Sequence, residues 1–428
     1  MRVNLSRWMV AILIGLIITV AAFVFFKNFG GKTEVNWKIM KGREKPLRAV
    51  HMGGNWGGTQ RIVEKPDEKY FEYLRDLAVN WVGISVALHV DDSTDSNVKR
   101  SYSGVDIPTF TDDNLIRMIK LLRKHGFRVY LTLAFEDQES QKATRPVHRW
   151  QLGDPNAVVN GEIKNFQDWP WASNHPNHTR FVDEFWRAYT DQAVHFARIA
   201  QESGVELYSI GTETEQLFRS RSDADHPNHF KDQIMEMVKE TRQVYSGKIT
   251  YDMHYSALLY DWPGSKFLFE DIDFDVVGIS AYFELVDHPP AGVLTVNQLE
   301  ESWEKVFQKY LVPLKNQYPR KSIVFTEFGY VTAVEAPYNP ASEERRNTVE
   351  KIVDRDNNGL DDAQEQQAHI YEAFYNTVEK YPDTVEGAFT WQESFPGAWA
   401  PVDIWGVWGK LAKDTVKKYY TKWRGISG

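Results

Sequence analysis

The stretch "SIVFTEFGY" (Ser322–Tyr330) is an apolar run, rich in β-branched and aromatic residues, that contains a single carboxylate, Glu327. A short run of this kind is typical of a strand that is buried on both faces, as in a parallel sheet. Because the stretch that flanks Glu327 on both sides is largely apolar, solvation does not explain the acid. The stretch therefore predicts a buried strand whose end carries a carboxylate with a specific role.

Seven further runs of this kind alternate with longer amphipathic segments. They are Arg48–Gly54, Val79–Leu88, Phe127–Phe135, Val205–Gly211, Lys248–Tyr255, Phe274–Phe283 and Val385–Trp391. Strands that alternate with helices predict an α/β fold with a parallel sheet. Eight such units predict a closed (β/α)8 TIM barrel. An open doubly wound sheet is the alternative, although no GxGxxG or GxxxxGK(S/T) motif follows the first strand.

The N-terminal run "WMVAILIGLIITVAAFVFF" (Trp8–Phe26) has nineteen residues without a charge. Because about twenty helical residues cross a bilayer core, it predicts a transmembrane signal anchor within residues 1–30. A linker over residues 31–46 and a catalytic domain over 47–425 would follow. We expect a single span in the cell membrane with the catalytic domain outside the cytoplasm. The alternative is a cleaved signal peptide and a secreted protein, with "VAA" (Val20–Ala22) as the cleavage site.

Composition excludes several classes of function. The net charge of −9 gives no indication of nucleic-acid binding. The chain has no cysteine, which excludes disulfides, thiolate metal sites and a cysteine nucleophile. It also contains no HxH or HExxH motif, which disfavours a metal-dependent barrel hydrolase.

A second strand-end carboxylate lies in "SIGTETEQ" (Ser209–Gln216), where Glu213 follows the fourth strand. The carboxyl ends of barrel strands meet at one face, so Glu213 and Glu327 are expected to face each other. Two facing carboxylates suit glycosidic cleavage, one as proton donor and the other as nucleophile or base. Glu215 is interpreted as a helix-start residue, because acids favour a first turn. The alternative for each strand-end glutamate is an ion pair with lysine or arginine.

Four motifs, "IGTE", "DVVGISAYF", "FTEFGY" and "FTWQ", resemble the glycoside hydrolase clan with catalytic glutamates on strands four and seven, clan A. Within it the chain most resembles glycoside hydrolase family 113, whose known members are β-1,4-mannanases. The resemblance implies a retaining mechanism that needs no cofactor, with Glu213 as acid/base and Glu327 as nucleophile. It also implies that Tyr282 lies near the nucleophile and that Trp391 forms the floor of the −1 subsite. Thr212 stands where many members have the asparagine that binds the sugar 2-hydroxyl.

Four other residues are candidates for the substrate pocket. His51, Asn55 and Trp56 follow the first strand, and His254 lies at the end of the fifth. For each of them, packing or a satisfied hydrogen bond is the alternative.

The stretch "DRDNNGLDDAQE" (Asp354–Glu365) matches the calcium-loop pattern D-x-(D/N)-x-(D/N)-G-x5-E. The side-chain ligands would be Asp354, Asp356, Asn358, Asp362 and Glu365, with the carbonyl of Leu360 as the remaining one. Asp361 replaces the usual apolar residue, which favours an isolated calcium loop over a paired EF-hand. A solvated acidic turn that caps the next helix is the alternative. The loop belongs to an insertion, residues 331–365, which is predicted to lie at the same face of the barrel as the glutamates.

Together these patterns predict a retaining β-glycoside hydrolase, similar to an endo-β-1,4-mannanase, that acts on a β-linked poly- or oligosaccharide. The alternative is a barrel at the cell surface that binds glycans without cleaving them.

Overall fold

Eight parallel strands form a closed barrel in the computed structural model. They are β1 (Leu47–His51), β2 (Trp81–Leu88), β3 (Arg128–Phe135), β4 (Leu207–Thr212), β5 (Lys248–His254), β6 (Val276–Ser280), β7 (Ser322–Phe328) and β8 (Gly387–Thr390). Each strand pairs with its neighbour in sequence, and β8 closes the ring on β1 through the register Leu47↔Gly387. The predicted TIM barrel is confirmed, and the open doubly wound sheet is excluded.

Helices follow the strands in the α/β order. Their bounds are α1 (Glu68–Asp76), α2 (Asp112–Lys124), α3 (His178–Ser203), α4 (Lys231–Val244), α5 (Ser256–Leu259), α6 (Val296–Val306), a π-helical turn (Phe307–Leu311), α7 (Val312–Gln317), α8 (Asp362–Lys380) and α9 (Leu411–Ile426). Local capping explains where some begin. Thr111 accepts a hydrogen bond from the Asn114 amide before α2, and Thr295 and Gln298 form a capping box before α6.

The structure describes residues 46–52, 63, 66, 68–90, 96–105, 107–136, 149, 152, 158–159, 162–163, 178–214, 217, 230–259, 269–270, 272, 274–341, 353–355, 357–393 and 405–426. The predicted signal anchor, residues 31–45 of the linker, Glu215 and most of residues 136–178, between β3 and α3, lie outside this set. Within it, no helix is both long and apolar enough to cross a bilayer.

Aromatic rings pack in the barrel interior on the amino-terminal side of the site. Tyr130 of β3 contacts Phe389 of β8 at a ring distance of 5.0 Å, although these strands are not neighbours. Closer to the carboxyl ends the interior becomes polar. There Thr326 of β7 donates a hydrogen bond to Asp252 of β5, again across an intervening strand. The barrel is therefore a packed core that ends in a layer of buried polar groups.

Outside the barrel, Trp303 of α6 anchors β7 to its surrounding helices. Its fully buried ring contacts Phe325 and Phe328 of β7 and Phe374 of α8, at 5.1 to 6.5 Å. The strand that carries Glu327 is thus held on its outer face by tightly packed aromatic side chains.

Gly387 sits at the seam where β8 meets β1, with φ of 139°. A Cβ atom there would lie 2.6 Å from the Leu47 Cβ and 2.7 Å from the Leu47 carbonyl oxygen. Gly387→Ala is therefore expected to lower the free energy of unfolding by about 2–4 kcal/mol, through backbone strain and overpacking. Urea denaturation measures the change. Gly292→Ala is the control, because nothing lies within 4 Å of its added Cβ; equal stability of the two variants would contradict this account of the seam.

Candidate active site

Glu213 lies immediately after β4, at the carboxyl end of the barrel. Its φ of 51° is in the left-handed region, which residues with a side chain seldom adopt. Its amide donates to the Asp252 carbonyl at 2.9 Å, and the next amide, of Thr214, donates to the Tyr251 hydroxyl at 2.8 Å. The neighbouring strand β5 therefore fixes this strained turn. Strain at a buried acid is typical of a functional site.

Glu327 is the penultimate residue of β7 and is buried. The pairing of β6 with β7 is irregular between Ile279 and Ser280, and this shift sets Ser280 beside Glu327. Beyond the end of β6, the Tyr282 hydroxyl donates to Glu327 Oε2 at 2.9 Å. The sequence prediction that Tyr282 lies near this carboxylate is in agreement with that contact.

The hydroxyl of Ser280 joins the two glutamates. Ser280 Oγ is 2.5 Å from Glu213 Oε1 and 3.5 Å from Glu327 Oε2. The two carboxylate oxygens are therefore no more than about 6 Å apart. The expectation that residues 114 positions apart in the chain face each other across the barrel mouth is met.

Arg149 is the cation of this site. Its Nε donates to Glu213 Oε2 at 3.1 Å, and its NH1 lies 3.8 Å from Glu136 Oε1, just past β3. All three side chains are at least 86% buried, since 14% of Arg149, 8% of Glu213 and 5% of Glu136 is exposed. Ion pairs this deeply buried are screened little by solvent. Glu213 therefore forms an ion pair with an arginine, as the alternative interpretation predicts, and it also faces Glu327.

The two glutamates differ in proton affinity. Burial, and then the negative charge of Glu213, raise the pKa of Glu327 to about 8. Burial also acts to raise the pKa of Glu213, but Arg149 and His254 outweigh it and leave that pKa below its usual value. The Ser280 hydroxyl lowers it further. Two carboxylates this close cannot both ionise easily, so the pair holds one proton near neutral pH.

The resemblance implies a proton donor at Glu213, whose pKa the nearby charge of Glu327 would raise. In the structure the raised pKa is that of Glu327, while that of Glu213 is lowered. The physical reason is Arg149, from the segment between β3 and α3, which pairs with Glu213 and favours its ionised form.

Trp391 follows β8 and is 95% buried. Its amide donates to the Phe328 carbonyl at 2.7 Å, which places it beside the end of β7. The ring centroid of His51 lies 4.7 Å from that of Trp391, and no part of His51 is exposed. Burial, and then the charge of Arg149, lower the pKa of His51 to about 3, so the ring is neutral. His51 therefore packs against Trp391, as the alternative interpretation of this residue predicts.

The other predicted pocket residues differ in their burial and in their contacts. Thr212 is fully buried, and its hydroxyl lies 2.6 Å from that of Thr132. His254 is half-buried, with Nδ1 2.6 Å from the Ser256 hydroxyl, and its charge acts on Glu213. Asn55 and Trp56 lie outside the described residues.

Two residues that contact the glutamates, Ser280 and Arg149, were not singled out from the sequence. Trp405, one of the tryptophans that the sequence places in loops at this face of the barrel, is half-buried and contacts Tyr282 at a ring distance of 5.5 Å. Ser280 lies in the strand-six motif two positions before Tyr282, on the same side of an extended chain, and this spacing was a usable signal. Arg149 has no local pattern that marks it.

The calcium-loop stretch folds as a tight turn before α8. The Asp354 carboxylate accepts hydrogen bonds from the amides of Asn358 at 3.1 Å and Gly359 at 2.9 Å. Asp361 caps α8 by accepting from the Gln364 amide at 3.0 Å, as the alternative interpretation of this turn predicts. Glu365 accepts from the Asn358 side chain at 2.9 Å.

Other predicted ligands are engaged or undescribed. Asp362 is buried and accepts from the Arg355 amide at 3.1 Å, Leu360 is exposed, and Asp356 is outside the described residues. Among the residues with described positions, no three acidic or histidine side chains converge on a common point as metal ligands would.

A closed (β/α)8 barrel with paired glutamates after β4 and within β7 defines the class of TIM-barrel glycoside hydrolases. The sequence model of Glycoside Hydrolase Family 113 matches residues 161–395. The chain belongs to this family and is a glycosidase.

Solved structures have the same fold. A Family 113 β-1,4-mannanase in a complex is 18% identical with a TM-score of 0.59, and the match covers 88% of this chain and 99% of that one. The β-mannanase AaManA of Alicyclobacillus acidocaldarius, in complex with ManMIm, is 17% identical with a TM-score of 0.56, over 89% and 98% of the two chains. The endo-β-1,4-mannanase of Thermotoga petrophila is 12% identical with a TM-score of 0.52, over 90% and 78%. No curated protein sequence matches the chain.

The raised pKa of Glu327 predicts a cost in stability at alkaline pH. A carboxyl whose pKa is raised by folding stabilises the protein below its unfolded pKa, and this stabilisation is lost as pH rises to the folded pKa. Glu327→Gln should therefore raise the melting temperature increasingly from pH 4.5 to about 8, by about 2–4 °C per kcal/mol removed. Thermal unfolding at a series of pH values measures this, with exposed Glu236→Gln as control. A melting-temperature difference that did not change with pH would contradict the shared proton.

Proposed function

We propose that this protein is a retaining β-glycoside hydrolase that cleaves β-1,4-linked mannose-containing poly- or oligosaccharides within the chain. The observation that carries the mechanism is the bound of about 6 Å between the carboxylate oxygens of Glu213 and Glu327. Retaining enzymes hold their carboxyl groups about 5–5.5 Å apart, and inverting enzymes about 6.5–9.5 Å. Membership of Family 113 and the likeness to mannanases support the choice of sugar.

In the first step Glu327, as the carboxylate, attacks the anomeric carbon while Glu213 gives its proton to the leaving oxygen. The Tyr282 hydroxyl, 2.9 Å from Glu327 Oε2, holds the nucleophile in orientation. In the second step Glu213, now ionised, removes a proton from water, which attacks the glycosyl-enzyme bond. Trp391, beside the end of β7, would form the floor under the reacting sugar and Trp405 a wall.

Hydrolysis of β-1,4-manno-, gluco- and xylo-oligosaccharides by the full-length protein tests this proposal, with product anomers followed by NMR. Wild type should cleave the manno-series and release the β-anomer first. Glu213→Gln should lower kcat by about 10²–10⁴-fold, and Glu327→Gln should abolish turnover because no covalent intermediate forms. Glu236→Gln, at an exposed position of α4, is the matched control. First release of the α-anomer would refute retention, and binding of sugar without cleavage would favour a glycan-binding barrel.

The two glutamates can be told apart with a 2,4-dinitrophenyl β-glycoside, whose leaving group needs no proton. Glu213→Gln should retain the first step on this substrate and, with azide present, yield the β-glycosyl azide. Glu327→Gln should yield no product under either condition. The reverse pattern would exchange the two roles.

We also retain the proposal that residues 354–365 bind calcium, supported by the match to the loop pattern and by the turn that Asp354 organises. The loop follows β7 in the chain, so a bound ion would order the polypeptide near Glu327. Calcium at millimolar concentration should raise the melting temperature by a few degrees over EDTA, since extracellular calcium modules bind at about 10⁻⁴–10⁻³ M. Asp354→Asn is expected to remove the difference. Equal melting temperatures of wild type in calcium and EDTA would refute the site.

The location of the protein is proposed from the sequence alone. The uncharged run Trp8–Phe26 supports a membrane anchor with the barrel outside the cytoplasm, where polysaccharide is accessible. Carbonate extraction of membranes from cells that express the full-length protein distinguishes a retained anchor from a secreted product.

A further inference from the structure

Both oxygens of Glu213 are occupied in the unliganded site. Ser280 Oγ lies 2.5 Å from Oε1, and the Arg149 Nε donates to Oε2 at 3.1 Å. A general acid must carry a proton on an oxygen that faces the substrate. A protonated oxygen cannot face a guanidinium, since arginine only donates hydrogen bonds. With Arg149 on Oε2 and the Ser280 hydroxyl on Oε1, Glu213 is arranged as a carboxylate, and the oxygen that can take up a proton while Arg149 stays in place is Oε1.

A second carboxylate shares Arg149 with Glu213. Glu136, one residue past β3, has Oε1 3.8 Å from Arg149 NH1 and is itself 5% exposed. Because both carboxylates lie within ion-pair distance of one buried guanidinium, the charge of Glu136 offsets part of the effect of Arg149 on Glu213.

We propose that Arg149 is a positioning residue that holds Glu213 as a carboxylate in the free enzyme, and that Glu136 limits this effect by sharing the charge of Arg149. Ser280 then passes the shared proton from Glu327 to Glu213. The proton on Glu327 Oε2 moves to Ser280 Oγ as the Ser280 hydroxyl proton moves to Glu213 Oε1, so no external acid or base is needed. The step leaves Glu327 ionised as nucleophile and Glu213 protonated as acid. This inference rests on the proposed function, because it assigns the route by which the pair reaches its reactive form.

Several charged or titratable groups face Glu213 from the surrounding strands. They are Glu136 past β3, Asp252 and His254 on β5, Tyr282 past β6 and Glu327 on β7, together with Arg149. Arg149 and His254 are the cationic or potentially cationic groups in this set, and Arg149 is the one in direct hydrogen-bond contact. Changes at Arg149 and Glu136 alter the charge next to Glu213 in opposite directions.

The test is the pH profile of kcat/KM on a manno-oligosaccharide. Arg149→Met should move both limbs to higher pH by about one unit or more, because loss of a neighbouring cation raises carboxyl pKa values. Glu136→Gln should move both limbs to lower pH, because Arg149 then pairs with Glu213 more strongly. Arg149→Lys should shift the limbs less than Arg149→Met. The exposed Arg117→Met is the control and should not shift them.

A purely structural role for Arg149 would lower activity equally at all pH values. The inference is overturned if Arg149→Met leaves both limbs in place, or if Arg149→Met and Glu136→Gln shift them in the same direction. Melting temperatures of the variants identify any that fail to fold, in which case Arg149→Lys carries the comparison.

Ser280→Ala tests the proton route separately. It should lower kcat/KM by about tenfold or more on the oligosaccharide and also on the 2,4-dinitrophenyl β-glycoside, because without the transfer Glu327 keeps its proton and is a poor nucleophile. Ser280→Thr, which keeps the hydroxyl, should restore most of the activity on both substrates. No loss in Ser280→Ala, or an equal loss in Ser280→Thr, would overturn the bridging role.

Titration by NMR distinguishes failure of this inference from failure of the proposed function. In protein labelled with ¹³C at the glutamate carboxyl, the Glu213 signal is identified by its absence from Glu213→Gln. Its titration should occur below that of Glu327 in wild type and move to higher pH in Arg149→Met. If wild type cleaves no glycan, the proposed function fails while this titration still decides the place of the proton. An unmoved Glu213 titration overturns the inference even in an active enzyme.

Discussion

Two buried carboxylates that share one proton are the constraint on which the rest of this structure depends. Glu213 and Glu327 are both buried and are bridged by one serine hydroxyl. In a low-dielectric site two such charges repel strongly, so the fold must hold them together by other means. Three interactions do so. The Glu213 amide donates a hydrogen bond to β5, Trp303 packs against the outer face of β7, and Arg149 supplies a positive charge next to Glu213.

This arrangement lowers the stability of the fold but supplies the groups that the reaction needs. A left-handed backbone at Glu213 and a carboxyl with a raised pKa at Glu327 are both unfavourable in themselves. The closed barrel supplies the compensating rigidity, because every strand is hydrogen-bonded to a neighbour on each side and its residues are largely buried. A glycosidase needs one acid and one carboxylate at a fixed separation, and the shared proton provides both forms at neutral pH.

Much of the site could be predicted, because strand-end position can be read from local pattern. Glu213, Glu327 and Tyr282 follow or lie within apolar β-rich runs, and the barrel brings such positions to one face. The predictions for His51 and Thr212 show the limit of this reasoning. Both are near strand ends, but one lies beneath Trp391 and the other bonds to Thr132, since local pattern does not give the depth of a side chain in the barrel.

The sequence by itself determined the number and order of the strands, the family, and the two glutamates, because these follow from hydrophobic periodicity and short motifs within single strands. Only the tertiary structure decided which charges and hydrogen bonds act on each glutamate. Arg149 is 64 residues from Glu213 along the chain and Ser280 is 67 residues from it, and no periodic pattern connects them. A pKa depends on charges and hydrogen bonds within a few ångströms, and these neighbours come together only when the barrel closes.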